Sequence, residues 1–387
     1  MLLMNMCIFS NNNKKKSISF LLGAGFSVPA GYPTGKELGE CILKTTKDDI
    51  LTFFNDLYFK YDSHEKYIDF LVELLSICKK YKDFFNYENF YDFIKNPNND
   101  SSFLLNIIFE KIGITGKGES ISNTMYQIDE IYNLLVAFYI KETLINALYQ
   151  RHYKNFVDII KTLKDTHTVN VHSLNHDLLF EKLLGNGNYT DGFSILNSEY
   201  YESYHRQIPF YANDYKSSNI RLYKLHGSID YFRTIDYSSK SERYNYIKLP
   251  HDVSRKNVRN NNGRCIYELH SDFLTGINFK RTRYKEHFYS NLHRKFISNL
   301  ASADKLIIIG YSGNDGGIND YIIDNLKRDE ACFVLDYKED EAKEVIRRIG
   351  LCTKRKDIRC YAVKSDLENV KESDFEETTY AKSICIE

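Results

Sequence analysis

His226 and Asn175 are the side chains of this sequence best suited to chemistry on a bound ligand. His226 follows the apolar run in RLYKLHGSIDYF, and an imidazole titrates near neutral pH, which suits proton transfer. Asn175 follows VNVHS, and its amide can hold a hydroxyl group or a water. A lone histidine is more often structural, and Asp177 could simply cap the following helix while Asn175 satisfies loop backbone. Their chemical use depends on what the fold brings beside them.

The segment GAGFS, residues 23–27, follows the apolar run ISFLL. Glycine lets a backbone turn tightly and present its N–H groups to an anion, and Ser27 adds a hydroxyl donor, so a diphosphate would suit this turn. The longer pattern G-x-G-x-x-G is not met, because Val28 stands at the third glycine. A tight strand-to-helix turn with no ligand is the alternative.

Two further apolar runs end in groups that could contact a ligand. KLIII is followed by a Gly-Tyr-Ser-Gly-Asn-Asp turn that contains Gly310, Ser312 and Asp315. CFVL is followed by Asp336, whose carboxylate could accept hydrogen bonds from a ribose or an adenine amine, or could equally be a plain surface strand end. One such site would mean little, but five strand ends that all offer such groups favour a binding site.

The short apolar runs themselves predict buried strands that alternate with helical patterns. This alternation is typical of a parallel sheet covered on both faces, in which ligands bind beyond the carboxyl ends of the strands. The predicted fold class is α/β, with helices on both faces of the sheet and a largely helical inserted subdomain. We predict the first strand and its loop in residues 1–35, the mainly helical insertion in 36–165 and the remainder of the sheet domain in 166–387. The strands are predicted at Ile18–Leu22, Thr168–His172, Leu222–Leu225, Lys305–Ile309 and Cys332–Leu335.

Composition excludes several other classes of protein. Lys plus Arg equals Asp plus Glu, at 52 each, so net charge gives no support for direct nucleic-acid binding. No apolar stretch reaches the roughly 18 residues that a membrane span needs. The eight cysteines include no C-x-x-C pair, so no zinc site is expected. Scattered cysteines, and lysines that follow rather than precede the first apolar run, favour a cytoplasmic protein.

Taken together, these motifs resemble the sirtuin-like family, in its bacterial branch that destroys NAD during antiphage defence. The resemblance extends from Gly23 to Asp336. The segments that carry it are GAGFS at 23–27, which resembles the G-A-G-x-S cofactor loop; AGYP at 30–33; SLNHD at 173–177, which resembles T-Q-N-I-D; KLHGS at 224–228, around the family's catalytic histidine; GYS at 310–312; and FLTGINFK at 273–280.

The resemblance implies a Rossmann-like sheet whose carboxyl edge binds NAD as a substrate. It implies that Asn175 orients the ribose or a water, that His226 acts as base and that Asp177 orders the loop of Asn175. The products would be nicotinamide and ADP-ribose. The residues that the resemblance implies for binding are Gly23, Ala24, Gly25, Phe26, Ser27, Pro33, Thr34, Gly310, Ser312, Asp315 and Asp336.

Departures from the family favour NAD hydrolysis over deacylation. The four zinc cysteines of the deacylases are missing, Leu174 replaces their glutamine, and Thr34 to Lys36 stand where many have an arginine. The alternatives are a non-catalytic subunit that binds NAD or ADP-ribose and, less favoured, a protein deacylase. Because an unchecked NADase would kill its host, we expect activation by homo-oligomerisation or by a partner, such as the HerA-type hexameric ATPase known in this family.

Overall fold

A computed structural model describes residues 16–56, 65–82, 85–96, 108, 121–143, 145–146, 148–202, 206–236, 243–250, 258–260, 271–380 and 383–384. The helices are α1 (Gly35–Lys44), α2 (Lys47–Asp56), α3 (Glu65–Lys79), α4 (Tyr87–Lys95), α5 (Ile121–Lys141), α6 (Tyr149–Thr166), α7 (Leu179–Leu184), α8 (Phe279–Arg283), α9 (His287–Ser302), α10 (Gly316–Asn325), α11 (Glu339–Ile349) and α12 (Leu351–Lys354). The strands are β1 (Lys16–Leu22), β2 (His167–Ser173), β3 (Gly192–Ser194), β4 (Tyr200–Glu202), β5 (Phe210–Asp214), β6 (Ile220–Lys224), β7 (Tyr231–Asp236), β8 (Arg243–Lys248), β9 (Val258–Asn260), β10 (Lys305–Ile309), β11 (Ala331–Asp336) and β12 (Arg359–Lys364).

Six of these strands form one parallel sheet in the order β6-β2-β1-β10-β11-β12. Counted in chain order within the sheet, this is 3-2-1-4-5-6, the order of the Rossmann fold. After β1 the chain forms β2 and β6 on one side of it. Later it forms β10, β11 and β12 on the other side. Ligands of such sheets bind at the carboxyl ends, where the order reverses, which here lies between β1 and β10. The predicted α/β class is confirmed.

The sheet is buried on both faces, because successive side chains of a strand point to opposite sides. Phe20 and Leu22 of β1 pack into a core shared with the insertion helices and α6. Leu21, between them, packs into a second core with Ile308 and with residues of α9, α10 and α11. A strand buried on both faces needs a largely apolar run of residues. For this reason ISFLL and KLIII could be recognised as buried strands from the sequence.

The elements described between β1 and β2 are all helical, as the sequence predicts. The predicted boundaries at residues 35 and 165 stay a prediction, although α1 begins at Gly35 and α6 ends at Thr166. Helix α3 buries one face, which contains Tyr67, Phe70 and Leu74. The insertion thus has its own apolar core, continuous with that of the sheet.

Smaller antiparallel sheets lie outside the Rossmann unit. One has the order β3-β5-β8-β7, and β4 pairs with β9. The polar excursion predicted at 236–265 supplies β8, which pairs with β7, and it also supplies β9, which pairs with β4. Its residues 237–242, 251–257 and 261–265 lie outside the described part. Cys41, Cys78, Cys332 and Cys360 are free thiols, but Cys352 is disulfide-bonded, which the scattered cysteines did not lead us to expect. In the part of the chain that the structure describes, no helix is both long and apolar enough to cross a membrane.

Candidate active site

The carboxyl ends of the central strands are connected by backbone hydrogen bonds between their loops. Gly23 N donates to Ile309 O at 3.0 Å, which joins the end of β1 to the end of β10. On the other side, Leu174 N donates to Leu22 O and Leu225 N donates to Ser173 O, both at 2.9 Å. The loops that carry Gly25, Asn175, His226 and Gly310 therefore lie next to one another at one edge of the sheet.

The glycines at the end of β1 are needed for contact with another loop of the protein. A Cβ atom at Gly23 would lie 2.6 Å from Gly310 O, and one at Gly25 would lie 2.8 Å from Gly310 Cα. Gly310 has φ +66°, and a Cβ there would lie 2.0 Å from Phe26 N. The two turns thus meet backbone to backbone, and larger residues would separate them.

The backbone N–H groups of this turn are largely paired inside the protein, which differs from the sequence expectation. Gly25 N donates to Gly310 O at 2.8 Å. Phe26 N and Ser27 N donate to Gly23 O and Ala24 O, because residues Ala24–Phe26 form a 3₁₀ turn. What the turn presents to solvent is the surface of Ala24 and Gly25, both exposed. A diphosphate held by several of these N–H groups would require the turn to rearrange.

Asn175, Ser27 and Asp177 form a buried hydrogen-bond network. Asn175 Nδ2 donates to Gly23 O and to Ser27 Oγ, both at 2.9 Å, and Ser27 Oγ donates to Asp177 Oδ2 at 2.8 Å. Asp177 Oδ1 accepts from Leu179 N at 2.9 Å at the start of α7. Because both Asn175 donors are used, its Oδ1 atom is the acceptor left for a ribose hydroxyl or a water. The network joins the glycine turn to the loop after β2.

His226 lies in a second cluster, which is charged. Its Nε2 atom is 3.1 Å from Tyr284 Oη and 3.4 Å from Asp315 Oδ2. Lys280 Nζ lies 2.9 Å from the same Asp315 oxygen. Asp315 Oδ1 also accepts from Gly317 N and Ile318 N and so caps α10. His226 is 6% exposed and Asn175 8%, and the ring of His226 is 6.4 Å from that of His176, next to Asn175.

The environment of this cluster separates the charge states of its members. Burial, and then the Lys280 ammonium, hold the pKa of His226 well below its usual value, so the imidazole is neutral at neutral pH. Burial opposes ionisation of Asp315, but His226 and Lys280 lower the pKa of that carboxyl to about 2. An ionised Asp315 accepts a hydrogen bond from Nε2–H, directly or through the Tyr284 hydroxyl, which leaves the lone pair of the neutral imidazole on Nδ1.

The remaining predicted residues have other local roles. Asp315, predicted in the cofactor set, contacts the His226 cluster. The Phe26 ring packs on Tyr153 and Phe156 in the core. Thr34 caps α1 in a reciprocal pair with Glu37, and Pro33 precedes it, half-buried. Gly310 lies against the glycine turn, Ser312 is exposed, and Asp336 Oδ1 accepts from Lys338 N at 3.0 Å.

Sequence reasoning missed three side chains that hold the site together. Tyr284 and Lys280 contact Asp315, and Lys224 Nζ contacts the backbone oxygen of Asp177. Lys224 also lies 3.5 Å from the buried carboxylate of Glu181, whose pKa burial raises although Lys224 opposes it. The available signals were KLHGS and FLTGINFK, which contain two of these residues but were used only for the resemblance. Among the described residues no group of three or more His, Cys, Asp or Glu could hold a metal ion.

Comparison with known proteins identifies one domain. The model of the SIR2-like domain family matches residues 169–360, from β2 into β12. Among solved structures, the chain is similar to a Sir2 homologue in complex with NAD, at 10% identity, 92% of this chain, 86% of that chain and a TM-score of 0.37. It is also similar to a Sir2 enzyme with an inhibitor, 2′-O-acetyl-ADP-ribose and a deacetylated peptide, at 10% identity, 92% and 91% coverage and a TM-score of 0.34. No protein with a curated description matches the sequence significantly.

Proposed function

The chain carries a SIR2-like domain, and from this premise we propose that it binds NAD and hydrolyses the bond between nicotinamide and ribose. The observation that carries the proposal is the presence of two chemically different groups in neighbouring loops at the carboxyl edge of the sheet. An amide acceptor on Asn175 and a neutral imidazole on His226 lie in adjacent loops. A protein that only bound the dinucleotide would need no base beside the ribose.

The proposed reaction uses few protein groups, because the positively charged nicotinamide ring is already a good leaving group. Cleavage of the C1′–N bond creates positive charge on the ribose, and water attacks that carbon. Asn175 Oδ1 would hold the water or a ribose hydroxyl, and His226 Nδ1 would accept the proton. Asp315, opposite Nε2, would balance the charge that the imidazole gains. NAD and water then give nicotinamide, ADP-ribose and a proton.

The surface at the edge of the sheet fits a dinucleotide in part. Ala24, Gly25 and Ser312 are exposed on both sides of the switch point, where a diphosphate would cross. Asp336, at the end of β11, is half-buried and lies further along the same edge, where a ribose or adenine would extend. His226 and Asn175 are almost covered, so the nicotinamide ribose would reach them only after neighbouring side chains move aside.

The biological role follows from the same proposal and remains part of it. Depletion of NAD in antiphage defence, with activation by self-assembly or by a partner such as a HerA-type ATPase, would explain why the two active groups are nearly covered in the single chain. No metal is needed for the chemistry, so a chelator should leave the activity intact.

The test is direct measurement of NAD cleavage. The full chain, alone and with a candidate partner, is incubated with NAD, and nicotinamide and ADP-ribose are separated and quantified, with and without chelator. We expect both products in equal amounts from the wild type and almost none from His226→Ala.

Two other outcomes would replace the proposal. Tight binding of NAD or ADP-ribose with no nicotinamide release in any assembly would indicate a binding subunit. Nicotinamide release that requires an acyl-lysine peptide would indicate a deacylase.

A further inference from the structure

An unbroken series of polar contacts runs from the helical insertion to His226. Glu88 of α4 contacts Lys280 at 3.3 Å, Lys280 contacts Asp315 at 2.9 Å, and Asp315 faces His226 at 3.4 Å. Three of the four groups are nearly covered, at 6% exposure for Lys280, 9% for Asp315 and 6% for His226. Buried charges interact more strongly than surface ones, so a change at one end of this series reaches the other.

A second set of contacts, between a carboxylate of α4 and backbone N–H donors, joins the same two parts of the chain. Asp92 of α4 accepts three backbone hydrogen bonds, from Ile277 N at 3.0 Å, Asn278 N at 2.7 Å and Phe279 N at 3.0 Å. We call residues 276–279 the docking loop. Gly276 has φ +90°, and a Cβ there would lie 2.3 Å from Asp92 Oδ1, so only glycine permits this approach. Successive N–H groups in such a turn form an anion site, and α4 fills it.

Apolar contacts accompany the polar ones at the same place. Tyr91 packs edge-on against the ring of Phe279 at 5.8 Å, and Lys95 Nζ lies 4.8 Å from the centre of that ring. A pocket of about 370 Å³ lies beside this contact, lined by α4 and by Asn278, Phe279 and Thr282. Helix α4 therefore holds the docking loop by charge, by hydrogen bonds and by packing, immediately before Lys280.

We propose that α4 is a positioning element for His226: Asp92 and Glu88 anchor the docking loop so that Lys280 holds Asp315 against the imidazole. Asp315, Lys280, Glu88 and Asp92 are then positioning residues, while His226 is the group that would contact the substrate. The part of the proposal that concerns catalysis rests on the proposed NAD hydrolysis. The part that concerns the state of His226 does not.

The charged groups that face His226 determine whether its protonation becomes easier or harder when the docking loop moves. Lys280 and the buried His176 and His293 disfavour a charged imidazole, and Asp315 favours it, while Tyr284 supplies a neutral hydroxyl. His176 belongs to the loop after β2, and His293 to α9. Among these groups, Lys280 carries the positive charge that disfavours protonation of the imidazole. If the docking loop is released from α4, Lys280 moves away and Asp315 is left alone with His226. The imidazole then becomes easier to protonate.

The experiment reads the protonation of His226 directly, without requiring activity. In the full chain labelled with ¹⁵N-histidine, the His226 resonances are those lost in His226→Gln, and their pH titration reports both the tautomer and the midpoint. The wild type should show the Nε2–H tautomer with a midpoint below the ordinary histidine range. Lys280→Met should move the midpoint upward, and Lys280→Arg should restore it.

The insertion itself is tested with Asp92→Asn, a milder change that replaces none of the residues around His226. We expect an upward shift in the same direction as Lys280→Met, but smaller. Asp69→Asn and Lys47→Met are matched controls, because they break an ion pair elsewhere in the insertion, at 2.7 Å, and should leave His226 unchanged. Thermal unfolding of each variant confirms that it is folded.

NAD cleavage supplies the second measurement. With His226 as base, Lys280→Met should lose about ten-fold more activity at pH 6 than at pH 8, a loss smaller than the 10² to 10⁴ that general-base catalysis contributes. If Lys280→Met or Asp92→Asn leaves the His226 titration unchanged, the positioning proposal is overturned. If instead the wild type cleaves no NAD in any assembly, the proposed function fails, while the titration still decides the role of α4.

Discussion

The amide side and the imidazole side of the site are built in different ways. Asn175 is held by two uncharged acceptors that belong to the loops of the sheet itself, namely Gly23 O and Ser27 Oγ. His226 is held by charged groups that lead out of the sheet, through Lys280 to Glu88 in the insertion. The amide side is therefore fixed when the sheet forms, whereas the imidazole side depends on how α4 docks.

The difference shows which part of the site can be regulated. A short hydrogen-bond network inside one structural unit has few alternatives, because each broken bond leaves a buried group unpaired. A series of ion pairs that crosses between two units changes when either unit shifts. We therefore expect substitutions on the amide side to reduce stability and activity together, and those on the imidazole side to change activity with little loss of stability.

The largest expected effect is that of His226→Ala. Removal of a general base costs about 10² to 10⁴ in rate, so NAD cleavage should fall by that factor while the unfolding temperature changes little. His287→Ala, at an exposed histidine on α9, is the matched control and should keep full activity. Wild-type turnover by His226→Ala would remove the imidazole side from the mechanism.

The contact between the two glycine turns is tested with Gly310→Ala. Its Cβ would lie 2.0 Å from Phe26 N, so the turns must separate, and overpacking of this kind costs about 1–3 kcal/mol. Gly187→Ala is the control, because Gly187 also has a positive φ but has nothing within 4 Å of the added Cβ. Chemical denaturation should show Gly310→Ala less stable than Gly187→Ala. Equal stabilities would mean that the turns do not need their close approach.

Asn175→Ala should have an effect on stability of similar size. It removes two buried hydrogen bonds, so that Gly23 O keeps only Phe26 N and Ser27 Oγ loses the bond that it accepts, at a cost of about 1–3 kcal/mol in the free energy of unfolding. It also removes the Oδ1 acceptor from the proposed site. Asn186→Ala, in an exposed loop, should change stability by less than about 0.5 kcal/mol. Loss of activity without loss of stability would contradict the expected coupling on the amide side.

The last prediction concerns pH. Burial lowers the pKa of His172 to about 3 and that of His293 to about 4, so both are neutral in the folded chain at pH values where they are charged after unfolding. Stability should therefore fall as pH drops below about 6.5, by up to about 1.4 kcal/mol per pH unit for each such histidine. Asp315 acts in a lower window, since the stability it contributes is lost only between about pH 4 and pH 2. Urea midpoints at pH 7.5, 6.5 and 5.5 measure the first effect, and a midpoint that rises over this range toward pH 5.5 would contradict it.

The sequence predicted five of the six strands of the parallel sheet, because the central residues of these strands are mostly apolar or β-branched and are buried. β12 was missed because RCYAVK has charged residues at both ends, and β6 was placed two residues late. On the amide side, Ser27 and Asn175 were named as candidate site residues because they follow strand ends, and Asp177 was added by the resemblance. The internal pairing of the backbone N–H groups in the glycine turn was not predicted, because a 3₁₀ turn and an anion-binding turn use the same glycines.

The imidazole side was less accessible from sequence. His226 and Asp315 were both named, but Asp315 was assigned to a ligand rather than to His226. Their pairing through Lys280 and Tyr284 depends on how the segment 276–284 folds back over the sheet, and no periodicity reports such a long-range contact. Asp92 and Glu88 lie on a helix whose pattern predicts only its apolar face, so their docking to the loop was invisible before the fold was known.

The central strand of the sheet is also its earliest in the chain. β1 pairs on one side with β10, and Ser17 N donates to Asp304 Oδ2 across 287 positions of sequence. During synthesis β1 leaves the ribosome long before β10 has been made. Until then, one hydrogen-bonding edge of this apolar strand has no partner. Folding should therefore be slow and sensitive to chaperones, and the edge proposed to bind NAD should assemble only after most of the chain has been made.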